Sequence, residues 1–123
     1  MIASDLIKEG QFPAEIGMTV GEVRELCIAN RASELPVIKQ GEVIGMIRLS
    51  LLKSLPMSQF IDDVVETGLV HTINGLTHEF EYLKLMSAQS VSSLAVVDDK
   101  GEYQGLVTMV STMEEIDRRC LVS

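Results

Sequence analysis

The feature that most constrains the fold of this chain is an internal repeat. The run Leu-Pro-Val-Ile at residues 35–38 recurs as Leu-Ala-Val-Val at residues 94–97, and the glycine-bounded run at 41–47 recurs at 101–107. The second copy has one additional residue in the polar turn between its two runs, where a hairpin loop tolerates a change of length. Self-similarity at a fixed period indicates a fold built from repeated units. The sequence therefore predicts two copies of one structural unit.

A helix is predicted before the hairpin of the first copy. Thr19 and Glu22 form a capping box, in which the Thr hydroxyl and the Glu carboxylate each satisfy a free backbone N–H at the helix start. Apolar residues follow at the three-to-four spacing of a helix face that packs on a sheet. They are Val20, Val23, Leu26, Cys27, Ala29 and Ala32.

The second copy has a similar pattern before its hairpin. Thr77 is the predicted N-cap, and two glutamates follow in the first turn, where the helix dipole favours acidic side chains. Phe80, Leu83 and Met86 form the predicted apolar face. The two copies therefore agree in having a helix at this place.

Each copy also begins with a predicted strand and ends in a predicted helix. A second capping box at Ser111 and Glu114 starts the last helix, and Ser50 has the corresponding position in the first copy. Extended segments at residues 14–16 and 69–73 can supply one further strand each. The sequence thus predicts a mixed α+β fold of two β-α-β-β-α repeats packed about a pseudo-two-fold axis.

The predicted organisation is a first repeat at residues 1–55, a linker at 56–68 with one helical turn, and a second repeat at 69–120. Pro56 marks the end of the first repeat, because a proline excludes the preceding residue from the helical conformation. A single copy is too small to bury its own sheet well, so the two copies are expected to share a core. Two clefts then lie between the copies, and such clefts are the usual binding sites. Helix N-termini at these clefts would favour anions.

Composition excludes several classes of partner. Eighteen acidic and ten basic residues give a net charge of −8, which repels nucleic acids and anionic membranes. No apolar run reaches the ~20 residues that span a bilayer, and Asp5 stands where a signal peptide carries basic residues. Cys27 and Cys120 lie far apart, so neither a disulfide framework nor a zinc site has its ligands. A reducing, cytoplasmic location is expected.

The repeated pattern resembles a known family. Two copies of Leu-Pro-Val-Ile, turn, Gly-x-x-x-Gly, each after an amphipathic helix, look like a tandem pair of cystathionine-β-synthase-type (CBS) domains, or Bateman module, over residues 1–116. The order of elements also resembles small bacterial CBS-pair proteins of the Bacteroidetes type. The resemblance implies a non-catalytic regulatory module that binds AMP, ADP, ATP or S-adenosylmethionine in a cleft between the repeats and requires no other cofactor. It also implies a homodimer formed through the helices, and a regulated partner or effector domain.

The family pattern places a Thr or Ser three residues after the second glycine, facing phosphate, and an Asp six residues after it, holding the ribose. These positions are Arg48 and Leu51 in the first copy, and Thr108 and Ser111 in the second. The aspartate is absent from both copies, which removes charge-assisted hydrogen bonds to the ribose. The resemblance favours the cleft of Thr108 and Ser111 as the ligand site. The candidate nucleotide-binding residues are Thr108, Ser111, Arg48, Thr19, Thr72 and Pro36.

Structural explanations compete with these assignments. Helix capping alone would explain Ser111 and Thr19. A high β-propensity at the end of a strand would explain Thr108, and a surface ion pair would explain Arg48. If these explanations hold, the alternative function is a dimerisation or assembly module with degenerate sites that binds no small molecule.

A small hydrolase that uses Cys27 or His71 is the second alternative. No nucleophile, base and orienting acid recur in a recognised arrangement, so this alternative has little support. His71 and His78 have no third ligand at metal-site spacing, and no metal is expected.

Overall fold

The computed structural model of the chain describes residues 1–68 and 70–122 and contains two successive β-α-β-β-α units. The first unit consists of β1 (Ala14–Glu15), α1 (Val20–Asn30), β2 (Glu34–Lys39), β3 (Glu42–Arg48) and α2 (Leu49–Leu52). The second consists of β4 (Thr72–Asn74), α3 (Glu79–Gln89), β5 (Ser93–Val97), β6 (Tyr103–Thr108) and α4 (Met109–Val122). Single 3-10 turns lie at Ala3–Asp5 and Ile61–Asp63. The predicted α+β fold of two repeated units is confirmed.

Each unit forms its own three-stranded sheet, in the order β1-β2-β3 and β4-β5-β6. The first strand of each sheet runs parallel to the second, because a helix connects them, and the hairpin is antiparallel. A register irregularity falls at Val37/Ile38 in one sheet and at Val96/Val97 in the other. The internal repeat is therefore also a repeat of strand register. The predicted strand at 69–73 lies at Thr72–Asn74, and Leu69 is outside the described residues.

Helix α1 begins as predicted. Thr19 Oγ1 accepts a hydrogen bond from Glu22 N–H, and Glu22 Oε1 accepts one from Thr19 N–H, both at 3.3 Å. Val20, Val23 and Cys27 are buried, and the helix ends where Arg31 adopts a left-handed conformation with φ of 52°. The remaining predicted face residues are Leu26, which is half-buried, Ala32, which is buried beyond the helix, and Ala29, which is exposed and was predicted wrongly.

Helix α3 begins later than predicted. His78, not Thr77, is its N-cap, and His78 Nδ1 accepts a hydrogen bond from Phe80 N–H at 3.2 Å. The cause is a turn before the helix, in which Asn74 Oδ1 accepts from Leu76 N–H at 2.8 Å and holds the chain out of the helical conformation.

The buried face of α3 also differs from the prediction. Tyr82 and Met86 are buried and Leu83 is half-buried. Phe80 is 69% exposed and stacks on the His78 ring, with the ring centroids 5.2 Å apart. Tyr82 thus has the core position that the spacing assigned to Phe80.

The predicted caps of the last helix in each unit are wrong. Strand β6 runs directly into α4, and Thr108 Oγ1 accepts from Ser111 N–H at 3.1 Å, so Thr108 caps the helix and Ser111 lies inside it. Ser50 likewise lies inside α2, whose N-cap is Arg48. The junctions are fixed by backbone hydrogen bonds at 2.8 Å, from Leu49 N–H to Ser33 O and from Met109 N–H to Ser92 O.

Segments outside the repeats connect the two units. Ala3 and Leu6 belong to the core of the second unit, and Ala3 N–H donates to Thr77 O at 2.8 Å. Ile61 belongs to the core of the first unit. The predicted ranges 1–55, 56–68 and 69–120 remain a prediction. Within the described part of the chain, no helix is both long enough and apolar enough to cross a bilayer.

Equivalent glycines allow a close crossing in each unit. A Cβ on Gly45 would lie 2.5 Å from the backbone oxygen of Glu66, and one on Gly105 would lie 2.6 Å from Cγ2 of Ile7. Beside Gly45, Met46 and Glu66 exchange two backbone hydrogen bonds of 3.0 Å. The second glycine of the repeat therefore admits the segment that crosses the edge strand of each sheet.

Candidate functional site

A cavity of about 200 Å³ lies between the two units. The first unit contributes the end of β3, the second contributes the end of α3 and the start of β5, and the connecting segment closes one side. The lining residues are Met46, Arg48, Glu66, Gly68, His71, Gln89, Val91 and Leu94. The cavity occupies one of the clefts expected between two related units.

The cavity combines apolar residues with one ion pair. Leu94 is buried, and Met46 and Val91 are half-buried. Arg48 Nε lies 3.8 Å from Glu66 Oε2, and these side chains are 45% and 58% exposed. An apolar surface beside a few polar groups is typical of a ligand site. Because the volume is below the ~300 Å³ of a pocket for a drug-sized ligand, it suits a ring-sized group whose substituents extend toward the exposed ion pair.

Thr108 and Ser111 do not contribute to this cavity. Both are buried, and their hydroxyl oxygens lie 2.7 Å apart. Ser111 Oγ also approaches the Thr108 carbonyl oxygen at 3.3 Å. In this arrangement the two hydroxyls are hydrogen-bonded to each other and to backbone groups at the start of α4.

Two further contacts lie at the end of α1, and one of them joins the two units. Arg31 Nη1 lies 2.5 Å from Glu114 Oε1, and the Arg31 hydrogen bond lowers the pKa of the Glu114 carboxyl. Asn30 Nδ2 donates to Phe12 O at 2.9 Å. The end of α1 is thus bound both to α4 and to the segment before β1.

The other candidate residues are dispersed. Thr19 caps α1, and Pro36 is buried in β2 opposite Met46. Thr72 is exposed and lines a more open cavity of about 580 Å³ with Asp98 and Asp99. Of the six candidates, Arg48 alone lines the cavity of about 200 Å³.

The sequence prediction did not include several lining residues. Glu66 lies in the linker, which has no counterpart in the repeat pattern, so no local signal marked it. Gln89 and Val91 lie at the end of α3 and just before β5, and neither residue type by itself marks a ligand site. Among residues 1–68 and 70–122, no three His, Cys, Asp or Glu side chains are grouped as metal ligands would be.

Comparisons with known proteins identify the architecture. Residues 81–117 match the family model of the CBS domain. The CBS domains of a transcriptional regulator from Streptococcus pneumoniae superpose with a TM-score of 0.77 at 24% identity, covering 93% of this chain and 98% of that chain. The chain folds as a CBS domain pair. No curated protein sequence matches it significantly.

Two further solved CBS pairs superpose on this chain over nearly their full lengths. A CBS domain pair/ACT domain protein from Thermotoga maritima has a TM-score of 0.75 and 19% identity, covering 97% of this chain and 98% of that chain. The CBS domain pair of protein MJ0100, solved in complex with 5′-methylthioadenosine and S-adenosyl-L-methionine, has a TM-score of 0.76 and 20% identity, with coverage of 97% and 98%. At these identities the similarity shows the fold of the CBS pair, and the first repeat shares it with the second.

Proposed function

We propose that this CBS pair is a regulatory module that binds one adenosine-containing ligand in the cavity of Arg48. The observation that carries the proposal is that both repeats line this cavity, with apolar side chains inside and an arginine at its exposed side. A ligand in contact with both repeats favours one relative packing of the two, which is the requirement for transmitting a signal.

Charge favours ligands with few phosphates. The chain has a net charge of −8, and Arg48 already has a carboxylate partner in Glu66. A triphosphate would meet one arginine and an adjacent carboxylate, whereas a nucleoside, a monophosphate or S-adenosylmethionine brings less negative charge. The MJ0100 complex contains two adenosine derivatives without phosphate, which supports this order. We therefore expect 5′-methylthioadenosine, S-adenosylmethionine and AMP to bind more tightly than ATP.

Parallel titrations test the proposal. Thermal unfolding and calorimetry would be measured with these four compounds, and saturation at 100 times Kd should add about 2.7 kcal/mol to the free energy of unfolding. Arg48→Gln should weaken AMP binding, and Lys53→Gln, an equal charge change at an exposed residue outside the cavity, should not. The proposal is wrong if no adenosine compound at millimolar concentration changes either measurement.

Assembly without a ligand is the second candidate. Its support is that Leu51 stands in place of the family aspartate and that several helical side chains are exposed, among them Ile28 at 69% and Met113 at 48%. We propose a homodimer through the helices for either function. Sedimentation of the wild type and of Ile28→Ser and Met113→Ser tests the dimer, and a monomer at all concentrations would contradict it.

The hydrolase alternative loses support from the environment of Cys27. The residue is 1% exposed, and burial, with a smaller contribution from Glu34, raises the pKa of its thiol to about 11. Because the thiolate is the nucleophilic form, a thiol that remains protonated at neutral pH is a poor nucleophile.

A further inference from the structure

The carboxylate of Glu34 is buried at the junction of the two repeats. Glu34 is 3% exposed, and its Oε1 accepts hydrogen bonds from Ser92 N–H and, at 2.7 Å, from Ser92 Oγ. Its Oε2 accepts from Ser33 Oγ at 2.8 Å. Within the described residues no Lys, Arg or His lies at ion-pair distance from it. A buried carboxylate of this kind is held by hydrogen bonds alone, and those come from both repeats.

The internal repeat makes this group unusual. Ser33 and Ser92 are equivalent, and their hydroxyl oxygens lie 3.3 Å apart, but the equivalent of Glu34 is Ser93. Ser93 Oγ donates to the backbone oxygen of Glu34 at 2.7 Å. The pair of repeats thus contains one carboxylate at a place where an exact two-fold relation would require two.

The two serines that bond to Glu34 also contact the last helix of each repeat and adjoin the cavity wall. The backbone oxygens of Ser33 and Ser92 accept from the first residues of α2 and α4, Leu49 and Met109, both at 2.8 Å. Ser92 also follows Val91 directly and lies two residues before Leu94, and both of these line the cavity. One side of the cavity, contributed by the second repeat, is therefore attached to a carboxylate of the first.

We propose that Glu34 is a positioning residue for the cavity, because its hydrogen bonds to Ser92 hold the wall of Val91 and Leu94 and couple ligand binding to the packing of the two repeats. This role rests on the proposed function of the cavity. A shift of one repeat against the other changes the Glu34–Ser92 contact and the cavity wall together. The ligand affinity and the packing of the two repeats then both depend on the Glu34–Ser92 contact.

A series of variants distinguishes positioning from simple stabilisation. Glu34→Ala removes every side-chain acceptor for Ser92, and Glu34→Gln keeps one oxygen acceptor of the same length. Tyr82→Phe is the matched control, because it removes a buried hydrogen bond between α3 and α4 without changing any contact of Glu34. Stability would be measured by urea unfolding, and binding by calorimetry with 5′-methylthioadenosine and S-adenosylmethionine as probes.

We expect Glu34→Ala to raise Kd at least about ten-fold, and Glu34→Gln to stay within about three-fold of the wild type. Tyr82→Phe should lower stability and leave Kd unchanged. Equal loss of affinity in Glu34→Ala and Tyr82→Phe, or unchanged affinity in Glu34→Ala, would overturn the proposal.

Hydrogen exchange gives a second test that needs no ligand. Val91 N–H donates to Met86 O at 2.9 Å, a bond that the Glu34 variants do not remove. Faster exchange at Val91 in Glu34→Ala, with no change there in Tyr82→Phe, supports the attachment of the wall to Glu34, and an unchanged rate contradicts it. If the wild type binds no adenosine compound, the proposed function fails while this test still decides the role of Glu34. If Glu34→Ala does not fold, Glu34→Ser replaces it, since it gives the first repeat the residue that the second has at the equivalent position and removes the carboxylate. Unchanged Val91 exchange and affinity in that variant would overturn the proposal.

Discussion

The Tyr82 hydroxyl oxygen lies 2.7 Å from Oγ1 of Thr112, and both side chains are buried. Thr112 Oγ1 also donates its single proton to the backbone oxygen of Thr108 at 2.8 Å. The proton between the two hydroxyls must therefore come from Tyr82. This contact joins α3 to the first turns of α4, close to the buried hydroxyls of Thr108 and Ser111.

Removal of the two hydroxyls should have unequal costs. Tyr82→Phe removes the donor and leaves Thr112 bonded to Thr108, so the free energy of unfolding should fall by about 1 kcal/mol. Thr112→Val leaves both the buried tyrosine hydroxyl and the Thr108 carbonyl without this partner, and should cost about 2 kcal/mol. Urea unfolding measures both values, and an equal or smaller loss in Thr112→Val would contradict the assigned direction.

The two crossing glycines should respond differently to alanine. At Gly45 a new Cβ meets the backbone oxygen of Glu66 at 2.5 Å, so the linker must move and its pairing with Met46 is disturbed. At Gly105 the new Cβ meets three atoms of the Ile7 side chain, at 2.6, 2.8 and 2.9 Å, so a side chain must give way and no paired backbone is displaced directly. We expect Gly45→Ala to lower stability by about 2 kcal/mol and Gly105→Ala by less. Thermal unfolding measures both variants, and a midpoint of Gly105→Ala at or below that of Gly45→Ala would contradict the prediction.

Alkaline pH should weaken the fold through Cys27. Its pKa is about 11 in the folded chain against an ordinary value of 9.0, so the folded state holds the proton more tightly than the unfolded state. This stability is fully present below pH 9.0 and is lost as the pH rises toward 11, by an amount on the order of 2 kcal/mol.

Urea unfolding at pH 8–10 measures the first part of this loss, because the buried Tyr103 hydroxyl, whose pKa rises from 10.0 to about 12, adds its own loss mainly above that interval. Cys27→Ala should be less stable than the wild type at pH 8, because it leaves a small cavity, but its stability should decline less as the pH rises. The same decline in both proteins would exclude Cys27 as its cause.

The Arg48–Glu66 pair should tune the preference of the cavity for charge. Glu66→Gln releases Arg48 from its partner, so AMP should bind about two- to five-fold more tightly, as expected for an exposed ion pair, with little effect on uncharged 5′-methylthioadenosine. Glu25→Gln makes the same charge change at an exposed residue of α1 and serves as the control. An equal increase in affinity for both ligands, or an equal increase for AMP in the control, would show that the pair does not select ligands by charge.

The fold was accessible from the sequence because its signals are local and occur twice. The hairpins are marked by glycine spacing and apolar runs, and α1 is marked by the capping box of Thr19. The errors arose where another interaction prevailed over the local pattern. The turn of Asn74 delayed the start of α3, and the direct passage of β6 into α4 placed Ser111 inside the helix instead of before it.

The site was less accessible, because segments outside the repeats define it. Glu66 of the linker lines the cavity and is fixed by its backbone pairing with Met46, whereas Ile7 of the leading segment packs over Gly105 in the other half. The family spacing treats both clefts alike. The two crossings place different side chains beside the equivalent glycines, and neither crossing carries a sequence signal.

The leading segment supplies Ala3 and Leu6 to a core otherwise built from residues 73–107. A fragment that starts at β4 would lack these two side chains, and the core residues that they cover would be exposed to water. We expect such a fragment to stay unfolded until the leading segment is added back as a separate peptide. Two chains can also exchange their leading segments, so that each segment completes the core of the other chain. Shortening the loop before β1 should therefore favour a domain-swapped dimer.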